Sequence, residues 1–315
     1  MNHFTSVQDI TNWPQLWQKV AQIKQSPQGR KTLGRGRAMC LIFLNSSLRT
    51  RLSTQRAAMN IGLDTVVFDI NQGGWQLEMV DGTVMNGSKA EHVKEAAAVI
   101  GSYYDLIGIR AFAQLQDRDE DAEETIIQQF KKHAGVPIIS LESSVRHPLQ
   151  SLTDLITIEE YKKKEKPKVV LSWAPHPRAL PQAVANSFLE WMRTTDYDLV
   201  LTHPEGYELS EQFTEGVTST NDQSEALQDA DFVYVKNWSS YTNYGQVLRT
   251  DDEWMLTPEK MQLTNDAYFM HCLPVRRNVV VSDQVIDSPQ SLVIPQAAHR
   301  VTAAQTVLEL LLSHG

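Results

Sequence analysis

Three observations predict an α/β fold built on two parallel sheets. Short apolar segments of strand length alternate with stretches of helical periodicity, and the alternation runs twice along the chain. The 315 residues suffice for two domains, each with its own core. Finally, polar side chains gather just after nearly every strand, where open parallel sheets bind their ligands.

In the first half, Met39-Cys40-Leu41-Ile42-Phe43-Leu44 is an apolar run, and strands fit 38–44, 65–69, 106–110 and 137–141. After the first of them, Leu52, Ala57, Ala58 and Ile61 recur at helical spacing until Gly62 stops the pattern. Helices fit 48–61, 90–103 and 121–133. In the second half, strands fit 168–173, 198–202, 232–236 and 268–271, with helices at 181–194, 222–228, 257–264 and 283–287. Between the halves, Leu152, Leu155, Ile156 and Tyr161 form a stripe that ends in three lysines. Residues 296–312 read as a final helix after Pro295, with Val301, Ala304, Val307, Leu308 and Leu311 on one side.

Composition narrows the class. Hydrophobic residues make up 42% and charged residues 21%, the balance of an ordinary globular protein. A net charge of -9 argues against a nucleic-acid surface. The two cysteines, Cys40 and Cys272, sit in apolar strand-like segments, so a reducing compartment fits better than a disulfide framework. With no long apolar run and no signal-peptide pattern, the expected location is the cytoplasm, away from membranes. No metal-ligand spacing occurs, so neither metal nor cofactor is expected. Gly34-Arg35-Gly36 precedes a strand and lacks a third glycine, which argues against a dinucleotide site.

The strand ends carry the chemistry. The first leads into Asn45-Ser46-Ser47-Leu48-Arg49-Thr50-Arg51, a strand-to-helix turn whose unpaired N–H groups and helix dipole suit a phosphate. The third ends at Arg110. The fourth is followed by Glu142, then Arg146-His147-Pro148-Leu149-Gln150. Later ends carry His176-Pro177-Arg178, His203-Pro204-Glu205, Lys236-Asn237-Trp238 and His271-Cys272-Leu273-Pro274-Val275-Arg276-Arg277. So many cationic ends in an acidic protein point to an anionic ligand, for which a cleft between the domains is the expected place.

Ser-x-Arg-Thr-Arg after the first strand, His-Pro-x-Gln after the fourth and His-Cys-Leu-Pro after the last together resemble the aspartate/ornithine transcarbamoylase family. The match runs over essentially the whole chain, in that family's order and spacing. It implies a carbamoyl-phosphate domain at 1–148 plus 296–315, an amine-substrate domain at 149–295, and a C-terminal helix returning to the first. It also implies a homotrimer with active sites at subunit interfaces. The family's motif positions give Ser47, Leu48, Arg49 and Thr50 to the phosphate, and Arg110 and His147 to the carbonyl oxygen on which charge develops. Gln150, with the carbonyls near Cys272 and Leu273, holds the carbamoyl NH₂ group on this reading. Cys272 is expected to position the amine; a buried cysteine is usually inert packing.

The amine is the point of departure from the commonest members. Ornithine enzymes carry an acidic residue and a Ser-Met-Gly loop after the penultimate strand, where this chain has Val235-Lys236-Asn237-Trp238-Ser239-Ser240-Tyr241. A lysine there suits carboxylate or amide oxygens and repels an ammonium, so an α-nitrogen that is acylated fits. Aspartate is a further option, but the replacement looks most like the N-acylornithine branch. The long polar loop from Asn71 to Ala90, with Gly73-Gly74-Trp75-Gln76-Leu77-Glu78, supports that branch, whose matching tryptophan reaches a neighbouring subunit's site. Acetyl-using relatives carry glutamate at the position of Ala90 and succinyl-using relatives carry proline. Alanine supplies no carboxylate, and Arg178 offers a guanidinium for a second carboxylate. The resemblance therefore implies carbamoyl phosphate and N-succinyl-L-ornithine as substrates, in arginine biosynthesis, with N-acetyl-L-ornithine as the alternative. Glu142, His176 and Arg276 complete the expected N-acylornithine set, Arg276 for the α-carboxylate. A non-catalytic sensor would be marked by loss of a motif residue, and all are present.

Overall fold

The computed structural model describes residues 1–70 and 74–313. The chain forms two compact units. The first comprises Met1–Ala113, Asp119–Leu149 and Arg300–Gly315, and the second Gln114–Arg118 and Gln150–His299.

The first unit opens with helix α1 (Trp13–Gln25), which buries Leu16, Val20 and Ile23. Asn12 caps it, its side chain accepting the Gln15 N–H at 2.9 Å. This helix has no counterpart among the expected elements. Its sheet holds β1 (Ala38–Phe43), β2 (Asp64–Asp69), β5 (Leu106–Arg110) and β6 (Ile138–Glu142), all parallel, in the order β2-β1-β5-β6. The apolar run 39–43 is buried on both faces, as a strand covered by helices must be. Helix α2 (Arg49–Asn60) follows β1 and ends at Gly62, whose φ of +73° suits glycine. Between β2 and α3 (Val93–Tyr103), Leu77–Glu78 (β3) and Glu91–His92 (β4) form a small parallel pair. Helix α3 therefore starts three residues later than the periodicity suggests. The helix expected over 121–133 is two: α4 (Arg118–Ala122) and α5 (Thr125–His133), interrupted where Glu124 takes a left-handed φ of +48°.

The second unit begins within α6 (Pro148–Tyr161), a helix buried over most of its circumference. Its sheet runs β11-β10-β7-β8-β9, again parallel: β7 (Lys168–Trp173), β8 (Asp198–Thr202), β9 (Thr218–Thr220), β10 (Phe232–Lys236) and β11 (Tyr268–Met270). Helices α7 (Ala183–Met192), α8 (Glu211–Thr214), α9 (Gln223–Leu227), α10 (Pro258–Met261) and α11 (Asp283–Ile286) lie between the strands. Gln114–Arg118 groups with this unit, Arg118 lying 4.9 Å over the Tyr241 ring. The last helix, α12 (Val293–Leu312), starts before Pro295, which sits in the first turn where a missing N–H costs nothing. Its residues from Arg300 onward belong to the first unit, with Gln305 accepting from Asn60 at 2.9 Å and the Leu312 carbonyl from Arg37 at 3.0 Å.

In each sheet the strand order reverses at one place: between β1 and β5 in the first unit, and between β7 and β10 in the second. Such switch points open a crevice beyond the strand ends. Pairing of Phe43 with Arg110, and of Trp173 with Lys236, sets the two strand ends at each crevice level with one another.

Helices α3 and α5 pack so closely that a Cβ on Gly101 would lie 1.8 Å from the Ala134 carbonyl oxygen. Within a helix, Gly→Ala ordinarily gains up to about 1 kcal/mol. Gly101→Ala is expected to reverse that sign and cost about 2 kcal/mol, read as a lower urea midpoint at unchanged m-value.

Candidate active site

In the first unit the crevice between β1 and β5 brings together residues from four segments. Ser47 accepts the Thr50 N–H at 3.3 Å and so caps the start of α2, leaving Leu48 67% exposed at the helix entry. Thr50 is buried, and its Oγ1 accepts from Arg110 Nη1 at 3.4 Å and from Arg300 Nη2 at 2.7 Å. Asn45, on the same turn, accepts the Phe112 N–H at 2.7 Å and ties the ends of β1 and β5. Arg110 also bonds Glu142, whose Oε2 lies 3.3 Å from His147 Nε2. Arg110, Glu142 and His147 are all buried. One carboxylate thus meets a guanidinium and an imidazole, with the Arg300 guanidinium on Thr50 beside them at the positive end of α2: an environment with cationic excess, suited to an anion. Arg51 turns aside, 3.9 Å from Asp69 and over the Phe43 ring at 4.8 Å.

Glu142, expected with the amine-substrate residues, sits in this cluster. Arg300 was not foreseen, because its helix reads as an apolar stripe; its partner Thr50 lies 250 residues away. Trp75 is 59% exposed and donates its indole N–H to Glu91 at 2.8 Å. Ala90 is exposed and donates its N–H to the Gln76 carbonyl at 3.2 Å. Asn71 and Gly73, singled out in the same loop, lie outside the described residues.

In the second unit the segments after β7 and β10 are tied by buried hydrogen bonds. Trp173 Nε1 donates to the Trp238 carbonyl at 2.9 Å, and Asn237 to the Ala174 carbonyl at 2.7 Å. Trp238 Nε1 donates to the Tyr207 carbonyl at 2.8 Å. On this frame stand Lys236, His176 and Arg178. Arg276 Nε donates to His176 Nε2 at 3.0 Å. On its other side, Nδ1 lies 2.9 Å from the Arg178 carbonyl oxygen and 3.1 Å from the Arg178 backbone nitrogen. Burial, then the charges of Arg276, Lys236 and Arg178, push the His176 pKa below the ordinary 6.5. Three cations around a neutral imidazole make a receptor for carboxylates.

After β11, His271 Nδ1 accepts the Leu273 N–H at 2.9 Å, and Leu273 takes a left-handed φ of +55° that a branched residue rarely adopts. Cys272 is buried and in no disulfide; so is Cys40, whose thiol burial pushes up to about 11. On the second-unit helix α6, Gln150 donates to Asp154 at 2.7 Å. Among the described residues there is no cluster of three metal-ligating His, Cys, Asp or Glu side chains, and no helix long and apolar enough to cross a membrane.

Comparison with known proteins agrees with this layout. Residues 2–160 match the aspartate/ornithine carbamoyltransferase carbamoyl-P binding domain, and residues 181–311 the Asp/Orn binding domain of the same enzymes. The chain belongs to the aspartate/ornithine carbamoyltransferase family. Within this carbamoyltransferase family, it is 54% identical to the N-succinylornithine carbamoyltransferase of Bacteroides thetaiotaomicron over 99% of both chains. It is 33% identical to the N-acetylornithine carbamoyltransferase of Xanthomonas campestris, over 99% of this chain and 98% of that one. Among solved structures it is similar to a variant N-acetyl-L-ornithine transcarbamylase, one glutamate replaced by alanine, complexed with carbamyl phosphate and N-succinyl-L-norvaline. That likeness has a TM-score of 0.92 and 33% identity over 99% of this chain and 100% of that chain.

A depressed pKa at His176 gives folding stability that is complete above pH 6.5 and lost as pH falls through the folded-state value. In an imidazole NMR titration His176 is expected to titrate below 6.5. Arg276→Ala should move the midpoint upward but leave it below 6.5, because burial is the larger cause.

Proposed function

We propose that this carbamoyltransferase moves the carbamoyl group of carbamoyl phosphate to the side-chain amine of N-succinyl-L-ornithine, giving N-succinyl-L-citrulline and phosphate. The observation that carries the amine assignment is the trio Arg178, Lys236 and Arg276 around neutral His176. An acylated ornithine with a succinyl tail presents two carboxylates and no α-ammonium, the charge pattern three cations favour. The 54% identity to an N-succinylornithine carbamoyltransferase supports the same choice.

In this reading the phosphate lies on the start of α2 against Ser47, the Leu48 N–H, Arg49 and Thr50, with Arg300 behind Thr50. Arg110 and His147 donate to the carbonyl oxygen as the neutral amine attacks the carbonyl carbon. The new C–N bond forms, the C–O bond to phosphate breaks, and the departing phosphate takes the amine proton. No covalent enzyme intermediate is needed, because the carbon already bears a good leaving group. Glu142 holds Arg110 and His147 in place. Gln150 and the carbonyls of Cys272 and Leu273 hold the carbamoyl NH₂ group, and Cys272 lies beside the attacking nitrogen. Arg276 takes the α-carboxylate and Arg178 the succinyl carboxylate. Ala90 leaves room for the longer acyl group. Exposed Trp75 is suited to reach a neighbouring subunit of a homotrimer, and the reaction belongs to arginine biosynthesis in the cytoplasm.

The test is citrulline-product formation from carbamoyl phosphate with ornithine, N-acetylornithine and N-succinylornithine in parallel. Turnover with the succinyl compound is expected. Turnover with the acetyl compound alone would keep the chemistry and overturn the role of Ala90; turnover with ornithine alone would overturn the reading of Lys236. Ala90→Glu should shift preference from succinyl toward acetyl by about 10-fold or more. Arg178→Ala should raise KM for the succinyl compound about 10- to 100-fold and leave acetyl use far less affected.

A further inference from the structure

The second unit buries a carboxylate that no step above uses. Asp154 on α6 is 0% exposed. Its Oδ1 accepts from two glutamine amides: Gln150 Nε2 at 2.7 Å, one turn earlier on α6, and Gln296 Nε2 at 2.6 Å, on α12. Gln296 in turn accepts the His271 N–H on its Oε1 at 3.0 Å, and His271 Nδ1 accepts the Leu273 N–H. The buried Tyr234 phenol faces Asp154 and Cys272, and burial followed by those two neighbours holds its pKa far above the ordinary 10.

A glutamine amide is nearly symmetric in shape, so its environment decides which end is oxygen and which is nitrogen. The Asp154 Oδ1, which accepts both glutamine amides, draws the NH₂ end of Gln150 and directs Oε1 to the opposite side. A carbamoyl NH₂ group needs an acceptor, and Oε1 is one. We propose that Asp154 is a positioning residue of the transferase: it fixes the Gln150 amide in the orientation that accepts from the carbamoyl NH₂ group, and through Gln296 it braces the backbone leading to Cys272 and Leu273. The inference rests on the carbamoyl-transfer reading, and on Gln150 touching the carbamoyl group.

The decisive experiment is a double-mutant cycle. Asp154→Asn presents an amide that both donates and accepts, so Gln150 loses its fixed orientation. That change should lower kcat about 10- to 100-fold while KM for carbamoyl phosphate moves less than about threefold. In a Gln150→Ala background the same substitution should cost at least about threefold less, the remainder being the brace through Gln296. Equal losses in the two backgrounds, or full activity of Asp154→Asn, would overturn the proposal. A second readout needs neither turnover nor a folded variant. In the wild-type protein the Gln150 side-chain NH₂ protons should exchange with solvent markedly more slowly than those of a free glutamine, and free-glutamine rates would sink the tether. Wild-type protein inert with all three amines, yet with protected Gln150 protons, would instead refute the carbamoyl-transfer reading.

Discussion

Everything in this molecule depends on the parallel pairing of β1 with β5 and of β7 with β10. Parallel neighbours discharge all their carboxyl ends on one edge of the sheet, and the helices that follow begin there. A register slip of one residue would exchange the two faces of a strand and move every group at its end. Phe43 opposite Arg110 and Trp173 opposite Lys236 fix that alignment, with bulky buried side chains on the apolar side of each pair. The chemistry is thus carried by the most rigid part of each unit, and the loops contribute what the strand ends cannot.

The two crevices solve different electrostatic problems. In the first unit Arg110 and His147 are buried and share Glu142, so their charge is desolvated, aligned and partly balanced within the protein. In the second unit Arg178 and Arg276 are exposed and Lys236 is half-buried. A small dianion with a labile acyl group calls for the first kind of environment, where aligned dipoles act at full strength. A long flexible amino-acid derivative calls for the second, where charges can be reached from solvent and desolvated by the ligand itself.

How much of this was legible in the sequence follows from how local each signal is. Strands buried on both faces write themselves as apolar runs, so β1, β5, β7, β8 and β10 were read within a residue or two. Helix α1 carried a readable signal in Asn12, Pro14 and the Leu16, Val20, Ile23 spacing, but without a preceding strand it fell outside the alternation. Edge strand β9, Thr218-Ser219-Thr220, is polar and three residues long, and only its pairing with β8 makes it a strand. The break at Glu124 is a backbone event with no apolar signature. At the site, Arg110 ends β5 and Thr50 opens the helix that follows β1, and both were visible. Arg300 and Asp154 were not: each sits in a helix whose apolar neighbours dominate the pattern, and their distant partners, Thr50 for Arg300 and Gln296 for Asp154, are known only once the chain is folded.

His176 carries a consequence for charge that contacts alone do not reveal. An aspartate or glutamate in its place would grip Arg276 at least as firmly, and would cancel the charge it held. An uncharged ring grips the guanidinium by one nitrogen and leaves the positive potential intact, so the arm is aimed before any ligand arrives and its attraction is undiminished. Orientation and neutralisation, usually supplied together by an ion pair, are here separated, and the imidazole works as an electrical insulator.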